Sequence, residues 1–416
     1  MDDQNKVVII GAGLAGLTAA IELEQVGIKP TILEASHSIG GRVKTDKVEG
    51  FLLDHGFQVL LTAYPEAKRY LDYEKLDLGY FAPGAKVFEG NRNYTVNDPI
   101  REISSAFTML FSPVGTLSDK WKMWQLKNRV LRTSPKEVFE QSSLTTLDYL
   151  RNTGFSELVI NRFFRPFFSG IFLEENLETS GRMFQFVFKM FSEGFAAIPA
   201  QGMGAIPQQL EGKLNGTDLQ LNKKVISIED RLIKLENGEE VRADCIIIAT
   251  DANSLIPQLS GQDSSYHQTI NCYFSIPKME GKPLISLVAQ PGSVVNNFCI
   301  PSHICPEYAP LGRDLLSVTI LNDRQMTETD LTEHVRGELT RYTGLPEESL
   351  VHLNNYYIPK ALPVLSEPQY EIPPTETKLY EGVFLAGDHM LNGSLNAAMI
   401  SGRTAASAAI TALNQR

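Results

Sequence analysis

The chain has 416 residues, 43% of them apolar and 21% charged, with a formal net charge of −11. This is the composition of a globular protein large enough for two domains or an interwoven pair, and its acidity argues against an extended nucleic-acid surface. No apolar run reaches the roughly 18 residues a membrane span needs, Met1 leads into Asp2 and Asp3 without a basic leader, and the four unpatterned cysteines, Cys245, Cys272, Cys299 and Cys305, suit a reducing cytoplasm.

The first predicted element is a buried parallel strand, Val7 to Ile10, made only of β-branched residues. Glycines follow at once. Gly11 permits a tight turn, Gly13 lets a diphosphate approach the backbone, and Gly16 lets the next helix pack close to the strand. That helix shows Leu14, Leu17 and Ile21 at helical spacing, and its start at Leu14 and Ala15 offers N–H groups and the positive end of the helix dipole to phosphates. A second strand, Pro30 to Leu33, ends at Glu34 and Ala35. A carboxylate there accepts hydrogen bonds from a ribose diol and repels a 2′-phosphate. Strand, glycines, helix, strand and acid in this order predict a dinucleotide site, and on these residues alone NAD and FAD both fit.

The next residues narrow the choice. Ser38-Ile39-Gly40-Gly41-Arg42-Val43 follows the acid closely, with two glycines that let the backbone close over a diphosphate and a forked cation beside them. Asp54-His55-Gly56-Phe57-Gln58 comes after it. The combination resembles the flavin amine oxidase and phytoene desaturase superfamily, in which an acid is followed by a Gly-Gly-Arg loop. The resemblance implies FAD, with Gly56, Phe57 and Gln58 near the isoalloxazine ring. No cysteine falls in an attachment motif of that family, so the FAD is expected to be noncovalent.

Both tryptophans, Trp121 and Trp124, lie among Lys120, Lys122, Lys127, Arg129 and Arg132, with Phe107, Met109, Leu110, Phe111, Leu117 and Leu126 nearby. The patch reads either as an interfacial helix on anionic lipid, hence peripheral membrane contact, or as an amphipathic helix packed on its domain with a solvated basic face. Then come Phe163, Phe164, Phe167, Phe168, Phe172, Phe184, Phe186, Phe188, Phe191 and Phe195, out of 21 phenylalanines in the chain. Met183, Phe184, Val187, Met190 and Phe191 recur at helical spacing. A helical core and an apolar tunnel for a long hydrophobic substrate share this pattern, because ligand pockets are themselves mostly apolar.

The loop Gln201-Gly202-Met203-Gly204 leads into a short helix, Ala205 to Leu210, and then to the stretch Leu219 to Ile228. Asn237-Gly238 between Leu232–Leu235 and Val241 predicts a hairpin, and Cys245 to Thr250 reads as a buried strand. The resemblance implies that Val225 holds the adenine with its backbone and that Thr250 ends a strand beside the cofactor. Asn271 to Ile276, Leu284 to Ala289 and Leu315 to Leu321 read as strands of a mixed sheet, the floor of the pocket in this superfamily. Lys278 and Lys282 lie there, and amine oxidases place a lysine near the flavin, but neither sits in a motif. Cys299, His303 and Cys305 fit no zinc spacing, so no metal is expected. Tyr356-Tyr357-Ile358-Pro359-Lys360-Ala361-Leu362-Pro363 resembles the aromatic-x-x-Ala-x-Pro stretch of relatives, with Ile358 where the aromatic belongs.

The last strand, Val383 to Ala386, ends on Gly387-Asp388, and a helix starts at Ser394-Leu395-Asn396-Ala397-Ala398 with Ser394 or Asn392 as its cap. The pattern resembles plant-type phytoene desaturases. It implies that Asp388 meets the ribityl-phosphate chain and that Leu395, Asn396 and Ala397 bring the helix dipole to the flavin pyrimidine edge, where negative charge develops on reduction.

The expected fold is α/β: a discontinuous Rossmann-like FAD-binding domain (1–60, 203–255 and 378–416) and a substrate domain of mixed sheet plus helices (61–202 and 256–377). The expected function is hydride transfer from a C–H bond of a hydrophobic, isoprenoid- or polyene-like substrate to flavin N5. A flavin amine oxidase, a non-redox flavoprotein isomerase and a lipid-docked flavin-binding protein without catalysis stand as alternatives. No second GxGxxG follows a strand, so the electron acceptor is expected to be oxygen or a quinone rather than a bound NAD(P)H domain. His55, Tyr356, Tyr357 and His389 are the candidate proton-transfer or pocket groups, and the expected location is cytoplasmic.

Overall fold

The computed structural model describes residues 6–90, 92–97, 114–256, 259, 265–322 and 324–415. Phe107, Met109, Leu110 and Phe111 of the basic aromatic patch lie outside them.

Val7–Ile10 is the centre of a six-stranded sheet ordered Asp218–Gln220, Thr31–Leu33, Val7–Ile10, Cys245–Ile248, Val383–Leu385, Lys378–Tyr380. All neighbours are parallel except the last pair. Its two middle strands are buried at every residue because each face is covered. Val7, Ile9, Cys245 and Ile247 turn toward the helical side, and Val8, Ile10, Ile246 and Ile248 meet Ile228, Ile233 and Leu235 of a small antiparallel sheet. That small sheet contains the Asn-Gly hairpin, with Ile233 opposite Val241. The stretch 219–228 divides at Asn222, which takes φ +55°, so that its first part joins the six-stranded sheet and Val225–Glu229 joins the small one.

The helix Leu14–Gln25 packs against the last helix, Leu395–Asn414, on the helical side. The contact is close: a Cβ on Gly402 would lie 2.2 Å from the Ala15 carbonyl oxygen.

A seven-stranded mixed sheet forms the second layer, ordered Val351–Pro363, Tyr266–Pro277, Arg313–Ile320, Val295–Cys299, Ile285–Val288, Gly84–Glu89, Arg92–Asn97. Four of its strands, Gly84–Glu89, Arg92–Asn97, Val295–Cys299 and Val351–Pro363, have no counterpart in the sequence reading, and Tyr356 and Tyr357 lie on the last of these, an edge strand. Cys272, Phe274, Leu316 and Val318 bury one face against Leu331, Val335 and Leu339 of the helix Glu328–Thr343. The opposite face carries Thr269, Asn297 and Thr319, which face a cavity. The helices Arg165–Phe172 and Gly181–Glu193 close that cavity from the other side.

Candidate active site

The cavity has a volume of about 1240 Å³, above the roughly 300–1,000 Å³ usual for small-molecule sites. It runs from the glycine loop past the ends of the parallel strands to the phenylalanine helices.

At one end the wall is backbone. Gly11 takes φ +102°, and a Cβ there would stand 2.9 Å from the Ala249 carbonyl oxygen. A Cβ on Gly16 would stand 2.0 Å from the Gly11 carbonyl oxygen, so this glycine serves helix–strand packing and does not line the cavity. Gly13 faces Gly41 across the loop, and a Cβ on it would meet nothing nearer than the Gly41 Cα at 4.0 Å. Gly13 caps the helix with no side-chain hydrogen bond, leaving the first turn at Leu14 and Ala15 against the cavity. An uncapped helix start beside two glycines is a fitting cradle for a diphosphate.

Glu34 does more than offer an acceptor. Its carboxylate accepts from the Ala12 N–H at 2.8 Å and from the N–H and hydroxyl of Ser36, each at 2.8 Å. It therefore ties the glycine loop to the end of the second strand while still lining the cavity. A carboxylate has about four acceptor sites, which leaves one for a ribose hydroxyl.

Arg42 joins the two ends of the chain. One Nη donates to the Ala361 carbonyl at 3.0 Å, and the other pairs with Asp388, whose side chain is buried. Gln58 donates to the Arg42 carbonyl at 2.9 Å and holds that loop in place.

His55 and Tyr356 share one carboxylate that the sequence reading passed over. Asp46 Oδ2 lies 2.8 Å from His55 Nε2 and accepts from the Tyr356 hydroxyl at 2.8 Å, while the two rings lie 4.6 Å apart. Partial burial works against the Asp46 charge, but the hydrogen bonds from Tyr356 and His55 outweigh it and hold its carboxyl below the ordinary range. Burial, reinforced by the bond to Asp46, pushes the Tyr356 hydroxyl well up, so it stays protonated. Beside this set, His389 lines the cavity against Gly387. Burial, against the opposing pull of the Asp388 carboxylate, holds its ring below the ordinary histidine range.

Asp54 sits just behind the wall. It is buried, accepts from Thr45, from the Met203 N–H at 2.9 Å and from the Tyr308 hydroxyl at 2.8 Å, and burial pushes its carboxyl up to about 6. It locks the segment before Gly56 to the loop at 201–204. Lys360 lines the cavity and pairs with Asp251 at 2.8 Å, whereas Lys278 pairs with Asp314 and, like Lys282, does not line it.

Of the residues singled out from sequence, Gly11, Gly13, Leu14, Ala15, Glu34, Gly40, Gly41, Arg42, Gly56, Phe57, Gln58, Thr250, Gly387, Asp388 and Leu395 line the one cavity. So do His55, Tyr356, Tyr357 and His389. Ala35, Val225, Asn396 and Ala397 do not. Val225 is buried in the small sheet opposite Leu235. The Ala397 N–H is taken by the Ser394 hydroxyl at 3.0 Å, and Asn396 accepts from the Glu66 N–H, so the cavity meets this helix through Ser394, Leu395 and Ala398.

The phenylalanines divide. Phe164, Phe184 and Phe186 are fully buried away from the cavity, whereas Phe163, Phe167, Phe188, Phe191 and Phe195 line it. Phe168 and Phe172 are buried and line it as well, so core and cavity wall are carried by the same helices. No group of three metal-ligating side chains occurs among the described residues, no described helix is long and apolar enough to cross a membrane, and the four cysteines are buried.

Residues 14–410 match the family described as flavin containing amine oxidoreductase. The chain is 24% identical over 440 residues to a hydroxysqualene dehydroxylase of Zymomonas mobilis, covering 97% of this chain and 98% of that protein. It is 31% identical over 147 residues to the L-amino acid oxidase Cdc18 of Crotalus durissus cumanensis, a match covering 34% of this chain and only 28% of the oxidase. An oxidoreductase from Methanosarcina mazei shares the fold, with a TM-score of 0.71 at 15% identity over 95% of this chain and 98% of that one.

Proposed function

The chain belongs to the flavin containing amine oxidoreductase family, with FAD as cofactor, and from that premise we propose that it takes hydride from a C–H bond of a hydrophobic, isoprenoid- or polyene-like molecule. The observation that carries the substrate class is the continuity of the cavity, from the glycine loop to walls of Phe163, Phe167, Phe188 and Phe191.

The residues present fit the cofactor. Gly13, Gly41 and the uncapped helix start would receive the diphosphate, Glu34 a ribose hydroxyl, and Asp388, fixed by Arg42, the ribityl side. When bound, FAD supplies the two-electron acceptor. The chain supplies orientation and exclusion of water: the phenylalanine wall aligns an apolar substrate, and the Asp46–His55–Tyr356 set holds a proton at the cavity wall. Hydroxysqualene dehydroxylase, matched over nearly its whole length, is named for an isoprenoid-derived substrate, which supports the substrate class.

Amine oxidation is the second reading, favoured by Tyr356 and Tyr357 on the cavity wall, where aromatic rings can flank an amine. The test is reoxidation of the dithionite-reduced holoprotein. Slow reaction with oxygen that a quinone accelerates, followed by flavin reduction with isoprenoids, is the expected result. Rapid reoxidation with peroxide release, followed by reduction with amines, overturns it in favour of the oxidase.

A further inference from the structure

The helix Leu117–Arg132 carries two apolar stripes where one would suffice to hold it. Leu126 and Val130 are buried against the protein. On the other side Leu117, Trp121, Trp124 and Leu131 are 67%, 57%, 49% and 41% exposed. Their spacing places all four on one ridge at helical periodicity, and the two indoles stack with centroids 4.8 Å apart. An exposed ridge of this kind is unusual on a soluble surface and marks a contact.

Charge identifies the contact. The chain as a whole is at −11, yet this helix carries Lys120, Lys122, Lys127, Arg129 and Arg132 against a single acid. That acid, Asp119, is buried and spent on the Thr116 cap and on Ser156, so the helix presents only positive charge outward. An apolar ridge with tryptophans between rows of lysine and arginine is the chemistry of an interfacial helix on anionic lipid. Pairing this ridge with its own copy would set its five cations against five more, whereas anionic headgroups neutralise them.

The helix is also a wall of the cavity. Lys120, Met123, Trp124 and Lys127 line it together with Phe163 and Phe167. We propose that helix Leu117–Arg132 docks the protein on an anionic phospholipid surface and that the cavity opens beside Trp124 into that surface, so that an apolar substrate passes from lipid to the phenylalanine wall without crossing water. Lys120 and Lys127, at the boundary between ridge and cavity, reach the headgroup phosphates while their methylene stems cover apolar surface. The docking rests on the helix alone; its purpose rests on the apolar-substrate reading above.

The two tryptophans are the chain's entire complement, so intrinsic emission reports on this helix directly. Holoprotein is mixed with vesicles of phosphatidylcholine alone and with vesicles containing one-third phosphatidylglycerol, and co-sedimentation and emission are read together. Expected are binding to the anionic vesicles, its loss at high salt, a blue shift of the emission, and quenching by brominated lipid. The double variant Leu117→Ser/Trp121→Ser should bind at least tenfold more weakly with an unchanged flavin spectrum. Absence of binding, or binding that leaves the emission in place, overturns the proposal. So does a blue shift that grows with protein concentration in the absence of lipid, which would assign the ridge to a second copy. No substrate is present in this experiment, so failure of the apolar-substrate reading shows separately, in the reoxidation and flavin-reduction assays.

Discussion

The glycine loop and the phenylalanine helices wall opposite ends of one cavity by opposite means. Around Gly11, Gly13, Gly40 and Gly41 side chains are absent, and Glu34 turns back to hold the backbone at Ala12. At Phe163, Phe167, Phe188 and Phe191 the backbone is hidden in helix and the wall is aromatic side chain. A polar ligand end is met by fixed dipoles whose positions tolerate little change. An apolar end is met by side chains that repack, so changes there should be graded and should separate stability from binding.

The sharpest way to break this comparison lies within the aromatic helices. Phe184→Ala should cost about 3–5 kcal/mol, because Phe184 is fully buried against Phe164 and Phe168. Phe167→Ala, on the cavity wall, should cost about 1–2 kcal/mol and instead raise KM for an apolar substrate about tenfold. Equal losses of stability in chemical denaturation would show the wall to be ordinary core.

Asp54 tests the seam between the two ends. Its folded-state pKa, up to about 6, lies above the ordinary carboxylate value. The folded state therefore holds this proton more tightly than the unfolded chain, and the benefit, about 2–3 kcal/mol at low pH, is lost as pH rises through 6. Asp54→Asn does not titrate, so its melting temperature should gain on the wild type between pH 4 and pH 6. A constant difference across that window would mean that the carboxyl is not raised.

The smallest expected effect is at the loop's own tie. Glu34→Ala removes three hydrogen bonds to backbone and serine and should weaken FAD about tenfold, about 1.4 kcal/mol, in flavin-release titrations, with a smaller change in melting temperature. Unchanged FAD affinity would show the loop to be held by its glycine geometry alone.

The parallel strands and the glycine loop are legible because each residue's reason is local: β-branching at Val7–Ile10, a positive φ at Gly11, an acid after Leu33. The Asn237-Gly238 hairpin is legible for the same reason. Strand Gly84–Glu89 escapes because its partner Ile285–Val288 lies far along the chain, and Arg92–Asn97 joins the sheet only as the edge of a hairpin with Gly84–Glu89. The division of the phenylalanines escapes because both faces of those helices are apolar, so periodicity carries no contrast between core and cavity. Asp46 and Lys360 escape because their partners are distant: Asp46 meets Tyr356 only through the fold, and Lys360 meets Asp251. A polar residue next to a recognised motif, as Asp54 is to His55-Gly56, was the signal available for the buried carboxylate.

The strand order also sets a timetable. Val7–Ile10 pairs early with Thr31–Leu33, but its other neighbour is Cys245–Ile248, and the next strand beyond is Val383–Leu385. At roughly 5–20 residues per second of synthesis, the first strand waits on the order of 10–50 seconds for Cys245 to emerge. Through that interval an apolar edge stands unpaired on the nascent chain, a template for wrong partners. Asp388 and Leu395, which line the cavity, leave the ribosome later still. The cavity wall is therefore complete only after residues 383–395 are made, and the protein's dependence on chaperones should be greatest in that gap.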